Sequence, residues 1–288
     1  MGSRISGKLS VQDLKEFLSR YRDKVVSLRK VMEDFPPFHE HACSFPVSSL
    51  YHDLVSSMRE RSVVFLDGAV FYLSSATAVL YKEVDYEFPP GTRIKTLFNF
   101  PYKDRKKLTE ILYRLPDIFD RSMYRNSESY RSRIKHLKKL QKIGYREYLV
   151  TPDRLSDAKR LHDEWVEYKL SRHDTYRVMF PKNRYLSMLV SCVNSKLFPY
   201  KALIGYIGNE PVSLSLFLFW KGMVYSLIGI SRYWEYSHIG DGVFLYQMRK
   251  LLEEGYEYVN VGYVQDRGIE EYKKKFPYIE VVTYVYSA

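Results

Sequence analysis

The chain has 288 residues, enough for one or two domains, and its 45% hydrophobic and 27% charged residues are those of a folded globular protein, not a disordered one. Its two cysteines, Cys43 and Cys192, exclude a disulfide framework and a four-cysteine metal site. A formal net charge of +11 points to an acidic partner: nucleic acid, an anionic membrane surface or a phosphorylated ligand.

In chain order, Met1–Leu9 is polar and lacks the apolar stretch of a signal peptide. Leu14, Phe17, Leu18, Tyr21, Val25 and Leu28 recur at helical spacing and predict one helix over Val11–Met32, ended by Pro36-Pro37. His39, His41 and Cys43 follow, but no second ligand cluster completes a zinc pattern, so a loop and no metal is expected there. A helix is expected over Val47–Arg61. Val63–Leu66 and Ala69–Leu73 flank Asp67-Gly68, a pair that permits positive φ and marks a β-hairpin. Strand-like residues follow at Ala78–Tyr81 and Arg93–Phe98, and Lys103–Tyr113 reads as a helix.

Ser127 as N-cap and Gly144 as stop bound the next helix, Ser127–Ile143. Between Arg121 and Arg146 nine basic residues are opposed only by Glu128. Tyr130, Ile134, Leu137, Leu140 and Ile143 give this helix one apolar face, so Arg131, Arg133, Lys135, Lys138, Lys139 and Lys142 form an outward ridge. Such a ridge is either a solvated helix face or a nucleic-acid contact.

From Arg146 a strand to Val150 leads to a helix Leu155–Leu170 and a second helix Asn183–Lys196. Three strands follow, Tyr200–Ile207, Val212–Trp220 and Met223–Ile230, joined by the hairpin turns Gly208-Asn209-Glu210 and Lys221-Gly222. The longest apolar run, Val212–Trp220, is broken by Ser213 and Ser215, so no transmembrane segment is expected and the reading is a cytoplasmic protein. A helix Gly240–Glu254, a strand Tyr258–Gly262, a short helix Gly268–Phe276 and a strand Ile279–Tyr286 complete the chain.

The turn Ser231 to Gly242 carries the strongest local signal. Glycines at a helix start let backbone approach a ligand, and the unpartnered first-turn N–H groups with the helix dipole suit a pyrophosphate. The plain alternative is an ordinary turn entering an amphipathic helix. Tyr272 can either act on a ligand or pack its ring in the core; Lys273, Lys274 and Lys275 can solvate the helix end or hold phosphate. The chain has no Gly-x-x-x-x-Gly-Lys-Ser/Thr loop, His-Glu-x-x-His or Gly-x-Ser-x-Gly.

The element order from Arg146 resembles the GNAT acyltransferase fold. The implied class is α+β, with a central mixed, mostly antiparallel sheet flanked by helices. The N-terminal hairpin and helices suggest a second, degenerate GNAT-like unit, though no residue-level repeat supports it. This divides the chain into 1–125, a basic helix and linker 126–145, and a transferase domain 146–288. The turn is similar to the family's acyl-CoA pyrophosphate loop, with Gly240 and Gly242 in place and Ser237 where a polar or basic residue stands. Residues 258–277 resemble two branches that use aminoacyl-tRNA. In the FemAB-type and lysyl-phosphatidylglycerol synthase group, a Gly precedes a Phe/Tyr-Lys-x-Lys-Phe helix, here Gly262 and Tyr272-Lys273-Lys274-Lys275-Phe276. In the arginyl/leucyl-tRNA–protein transferase group, the similar residues are Tyr258–Tyr263, Tyr272-Lys273, Lys275-Phe276-Pro277 and Arg172-His173. Both branches are built from two GNAT-like units.

The resemblance, over Tyr130–Pro277, implies an acyltransferase that uses acyl-CoA or aminoacyl-tRNA as cosubstrate and holds no cofactor tightly. Donor contacts would be Ile230, Ser231, Arg232, Ser237, His238, Gly240, Asp241 and Gly242. Acceptor or phosphate contacts would be Arg172, His173, Gly262, Tyr263, Lys273 and Lys275, with Tyr272 as general acid toward the leaving group. The strands ending near Ile230 and Gly262 should part to admit the acyl carbonyl. An RNA-borne donor would give the basic ridge a purpose. Two other readings stay open: an acetyl-CoA-dependent N-acetyltransferase acting on a modified base or small molecule, and a non-catalytic nucleic-acid-binding protein on a degenerate scaffold.

Overall fold

The computed structural model describes residues 10–34, 63–73, 76–96, 105–172, 186, 189–190, 193, 200–220, 222–263 and 267–287. The expected helix Val47–Arg61, the His39–Cys43 loop, Cys192, His173 and most of Asn183–Lys196 lie outside them. The chain divides into two compact units. One comprises residues 1–111, 263–267 and 280–288, the other 112–262 and 268–279. Among the described residues, no helix is long and apolar enough to cross a membrane.

The first unit opens with α1 (Val11–Arg20), whose Ser10 hydroxyl accepts from the Asp13 N–H at 3.0 Å. The single helix expected over Val11–Met32 is two: after a short turn at Arg22–Lys24 the chain extends, then resumes as α2 (Leu28–Asp34). The cause is tertiary. Val25 bridges to Leu66 and the Val26 N–H donates to Phe65 O at 3.0 Å, so two β-branched residues are drawn to a strand and helical periodicity yields.

Strands β1 (Val63–Leu66) and β2 (Ala69–Tyr72) form the expected hairpin, with Gly68 at φ +89° in its turn. Antiparallel β3 (Thr77–Leu80) follows, then β4 (Arg93–Thr96) parallel to it, with β11 (Ile279–Ser287) antiparallel to β4. The β3–β4 register runs through all four residues of each strand. Phe17 packs on Phe71 and Phe88 in this unit's core, with ring centroids 5.3 and 5.4 Å apart.

The helix expected over Lys103–Tyr113 is a strand, β5 (Arg105–Arg114). Glu110 to Tyr113 are buried without interruption, on both faces. Four consecutive buried residues fit a central strand, and a short run of that kind reads the same in sequence as a buried helical turn.

The second unit contains α3 (Leu115–Phe119), α4 (Ser127–Lys142), β6 (Tyr145–Leu149), α5 (Leu155–Arg172), β7 (Tyr200–Ile207), β8 (Glu210–Trp220), β9 (Met223–Ser231), α6 (Ile239–Glu253), β10 (Tyr258–Tyr263) and α7 (Arg267–Lys273). The cap of α4 is Asn126, whose side chain accepts from the Ser129 N–H at 2.8 Å, one residue before the expected Ser127. Strands β6 to β9 pair antiparallel in sequence order, and β10 adds parallel to β9. Each unit therefore has a run of antiparallel pairs with one parallel pair. This is the mixed, mostly antiparallel sheet flanked by helices that the element order implied.

Candidate functional site

Strand β10 pairs with β9 over three residues only, Tyr258–Asn260 against Met223–Tyr225. Beyond them no ladder joins the two strands among the described residues. The cause is local: Gly262 adopts φ +75°, and its N–H turns back to the Asn260 side chain at 2.8 Å. Strand β9 continues alone on that side to Ser231, still paired to β8 on the other. At Gly229, which is exposed, an added Cβ would meet nothing within 4 Å. The strands part and leave open backbone.

Helix α6 begins at this opening. His238 before it is left-handed at φ +65° and makes no side-chain cap. Strain of that kind in a non-glycine residue is held in place by its surroundings. The Ile239 N–H donates to Tyr236 O at 3.2 Å and the Gly242 N–H to His238 O at 3.0 Å. The N–H groups of Gly240 and Asp241 take no acceptor among the described residues, which leaves two unsatisfied amides at the positive helix end.

The two glycines of the turn do different work. A Cβ on Gly240 would lie 3.1 Å from Ser231 Oγ and 3.9 Å from the Tyr272 hydroxyl, so this glycine, Ser231 and the phenol meet at one point. A Cβ on Gly242 would instead lie 3.0 Å from His136 O and 3.2 Å from Leu140 Cβ, both on α4. Gly242 thus permits close helix packing, and its N–H is spent inside α6: it is not the ligand contact expected of it.

Asp241 is buried, with Lys275 Nζ at 3.4 Å and Arg133 Nη1 at 3.6 Å from its carboxylate. His136 from α4 packs against His238, ring centroids 4.2 Å apart and planes tilted by 31°. Burial, then the His238 charge, hold the His136 pKa below its ordinary value, and its Nδ1 is buried without a hydrogen-bond partner. One atom each of His136, His238 and Asp241 lie within 4.8 Å of one another, a spacing that could collect around a metal. Arg133, Lys275 and the helix end oppose a dication there. The local charge suits an anion.

Tyr272 keeps 39% of its surface accessible. Desolvation, with the Asp241 charge second, pushes its phenol pKa upward, so the hydroxyl stays protonated well past neutrality. Lys275 Nζ lies 4.9 Å from its ring centroid. The Tyr113 hydroxyl donates to Lys273 O at 2.5 Å, and the Tyr113 ring packs on Phe244 at 5.3 Å, which fixes α7 beside α6.

Other expected contacts are engaged elsewhere. The buried Arg232 meets Glu164, with Glu210 at 3.4 Å and Glu235 at 3.6 Å, so it braces the loop and does not reach for donor phosphate. Lys273 Nζ donates to Val261 O at 2.5 Å and Gly262 O at 3.0 Å, holding the parted end of β10. Arg172 lies over the Tyr168 ring at 5.2 Å, and Ile230 is buried opposite Leu214. Ser237 is exposed in the turn, and the side chain of Tyr263 lies outside the described residues. Arg131, Lys135, Lys138, Lys139 and Lys142 are exposed along α4 and meet no carboxylate among the described residues. Sequence reasoning missed His136, Tyr113 and Gly229; the first two carried no signal because they reach the site across a helix pair and through α7.

These features define an α+β protein with a mixed, mostly antiparallel sheet flanked by helices. No family model and no curated protein matches the sequence. Among solved structures, the chain is similar to a conserved protein of unknown function from Bacteroides thetaiotaomicron (TM-score 0.61, 10% identity, 96% of this chain and 97% of that one). It is also similar to L-PGS from Bacillus licheniformis (TM-score 0.54, 14% identity, 99% and 94%). A third is the C-terminal domain of a putative lysylphosphatidylglycerol synthetase from Agrobacterium fabrum (TM-score 0.53, 12% identity, 95% and 93%). At these identities the likeness is one of fold.

Proposed function

We propose that this protein is an acyltransferase that moves an aminoacyl group from an RNA-borne ester to an amine acceptor. The observation that carries this reading is the meeting of two free helix N–H groups, at Gly240 and Asp241, with the Tyr272 hydroxyl beside strands that have parted. The amides, Lys275 and Arg133 would take donor phosphate. The acyl carbonyl would enter the gap between β9 and β10, where the unpaired β9 edge offers N–H groups to a developing oxyanion. The acceptor amine attacks the carbonyl carbon, the C–O bond to the donor breaks, and Tyr272 supplies the proton to the leaving oxygen and regains one from the attacking nitrogen as it becomes the amide.

RNA is favoured over coenzyme A as donor by the exposed, unpaired cations of α4, and by Ser237 standing where a phosphate-holding side chain is usual. The similar fold of the C-terminal domain of a putative lysylphosphatidylglycerol synthetase supports the aminoacyl reading. Acetyl-CoA titrated calorimetrically should give no heat, and micromolar binding would move the reading to an N-acetyltransferase. Gly240→Val would push methyl groups toward Ser231 and Tyr272, and should cut aminoacyl transfer at least about 100-fold while RNA retention on a filter is unchanged. Transfer that persists in this variant would leave the protein a nucleic-acid binder without catalysis.

A further inference from the structure

Strand β6 ends the run β9–β8–β7–β6 and is bonded on one side only among the described residues. The Val150 N–H donates to Ala202 O at 2.9 Å, and these two residues continue the β6–β7 register. Backbone groups alternate along a strand, so Tyr148 and Arg146 also turn theirs toward β7. The N–H and C=O groups of Tyr145, Glu147 and Leu149 therefore point away from the sheet, and take no backbone partner among the described residues. The edge of β1 differs: Val25 bridges to Leu66 there, and the Val26 N–H donates to Phe65 O. Strand β6 carries neither proline nor register shift, two common protections of an open edge. Its inward charge, Glu147, has a side chain already only 1% exposed with Lys250 at 3.6 Å, so an added strand would desolvate it no further. Tyr148 and Leu149, at 39% and 55%, are among the large hydrophobic residues left exposed.

The side chains along this edge are complementary to themselves in one register. Two copies of β6 can pair antiparallel about a twofold axis. Their outward groups meet over three or more residues only if that axis passes at Arg146, Glu147 or Tyr148. An axis at Arg146 sets guanidinium against guanidinium, and one at Glu147 sets carboxylate against carboxylate. Like charges directly opposite on neighbouring strands are destabilising. An axis at Tyr148 brings the two phenol rings together and lays Leu149 beside Glu147 of the second copy. Those two residues then exchange both backbone hydrogen bonds, twice by symmetry. The Tyr148 ring is held in advance, with the Arg154 guanidinium 4.8 Å from its centroid and the Tyr206 ring edge-on at 5.9 Å. Little side-chain freedom is left to lose on pairing.

We propose that β6 pairs with β6 of a second copy of this chain, antiparallel about an axis at Tyr148, to make a homodimer. The proposal does not depend on the acyl-transfer reading. The test is sedimentation equilibrium of the purified full chain at micromolar concentration, which should give twice the chain mass. Leu149→Pro removes an outward N–H that the β7 ladder does not use, and should raise the dissociation constant at least about tenfold with the far-UV circular dichroism unchanged. Tyr148→Cys places two thiols face to face at the axis, so mild oxidation should join the copies through a bond that dithiothreitol reverses. Arg146→Cys, off the axis, should cross-link no more than the wild type. These cysteine variants decide the matter should Leu149→Pro fail to fold. A monomer at all concentrations, a dissociation constant unmoved by Leu149→Pro, or cross-linking of Tyr148→Cys no greater than that of Arg146→Cys would each overturn the proposal.

Discussion

At Tyr272 two physical effects act in the same direction. Desolvation and the nearby Asp241 carboxylate both raise the phenol pKa, so the proton a leaving oxygen needs remains in place at neutral pH. Loss of that proton donor in Tyr272→Phe should lower kcat by about 10²–10³-fold with KM little changed, in the usual range for general acid catalysis. The sign for pH follows. A raised phenol pKa puts the acidic form below that pKa, so the alkaline fall in kcat should come above the ordinary phenol value of about 10 and vanish in the variant. A wild-type fall centred near pH 8 that survives in Tyr272→Phe would remove Tyr272 from the proposed chemistry. The role proposed for this residue rests on its motif neighbours in sequence; its closeness to Gly240 was not legible there, because thirty-two positions separate them along the chain.

Among elements, the pair α4 and α6 shows what a motif leaves undetermined. Gly240-Asp241-Gly242 reads in sequence as one phosphate loop, yet only its first glycine faces the opening. The second lets the backbone of α4 approach, with His136 O 3.0 Å from where a Cβ would stand. Neither a carbonyl on a helix nor Leu140 Cβ can give way cheaply. Gly242→Ala should therefore destabilise the fold by about 1–3 kcal/mol, read as a lower urea midpoint with an unchanged slope. An unaltered midpoint would show that the helices can separate without cost. The same competition between local pattern and tertiary pairing explains β5 and the break after α1. Lys103–Tyr113 has helix-forming residues and Val11–Met32 a helical period, but buried pairing with strands offered more than either propensity.

Across the whole molecule, the strand ladders within the two units have similar pairing patterns and differ in one respect. In the first unit the parallel strands β3 and β4 pair through their four residues; in the second, β9 and β10 part after three. Only the second offers a slot among the described residues, and it is α4 of this unit that carries the exposed cations. Reversing Lys135, Lys138, Lys139 and Lys142 to glutamate should weaken RNA binding and flatten its dependence on log salt, by about 0.7–0.9 for each phosphate no longer neutralised. The melting temperature should hardly move, since these side chains have no acidic partner among the described residues to lose. A salt slope identical to that of the wild type would assign the ridge to solubility alone.

The amino-acid sequence determined the order of the described elements from Arg146, the hairpin at Asp67-Gly68 and the one that pairs Trp220 with Met223, the excess of positive charge and the helix that bears it. All of these are short-range: turn chemistry, periodicity and composition act within a few residues. Tertiary structure alone decided that Gly262 would turn β10 away from β9, and that Arg232 would be bound by carboxylates from three parts of the chain. It also decided that His136 and Tyr113 would be carried into the neighbourhood of Asp241 and Tyr272. Those outcomes depend on which buried groups find partners at close range. A pairing energy of that kind is fixed by three-dimensional neighbours, which no local pattern encodes.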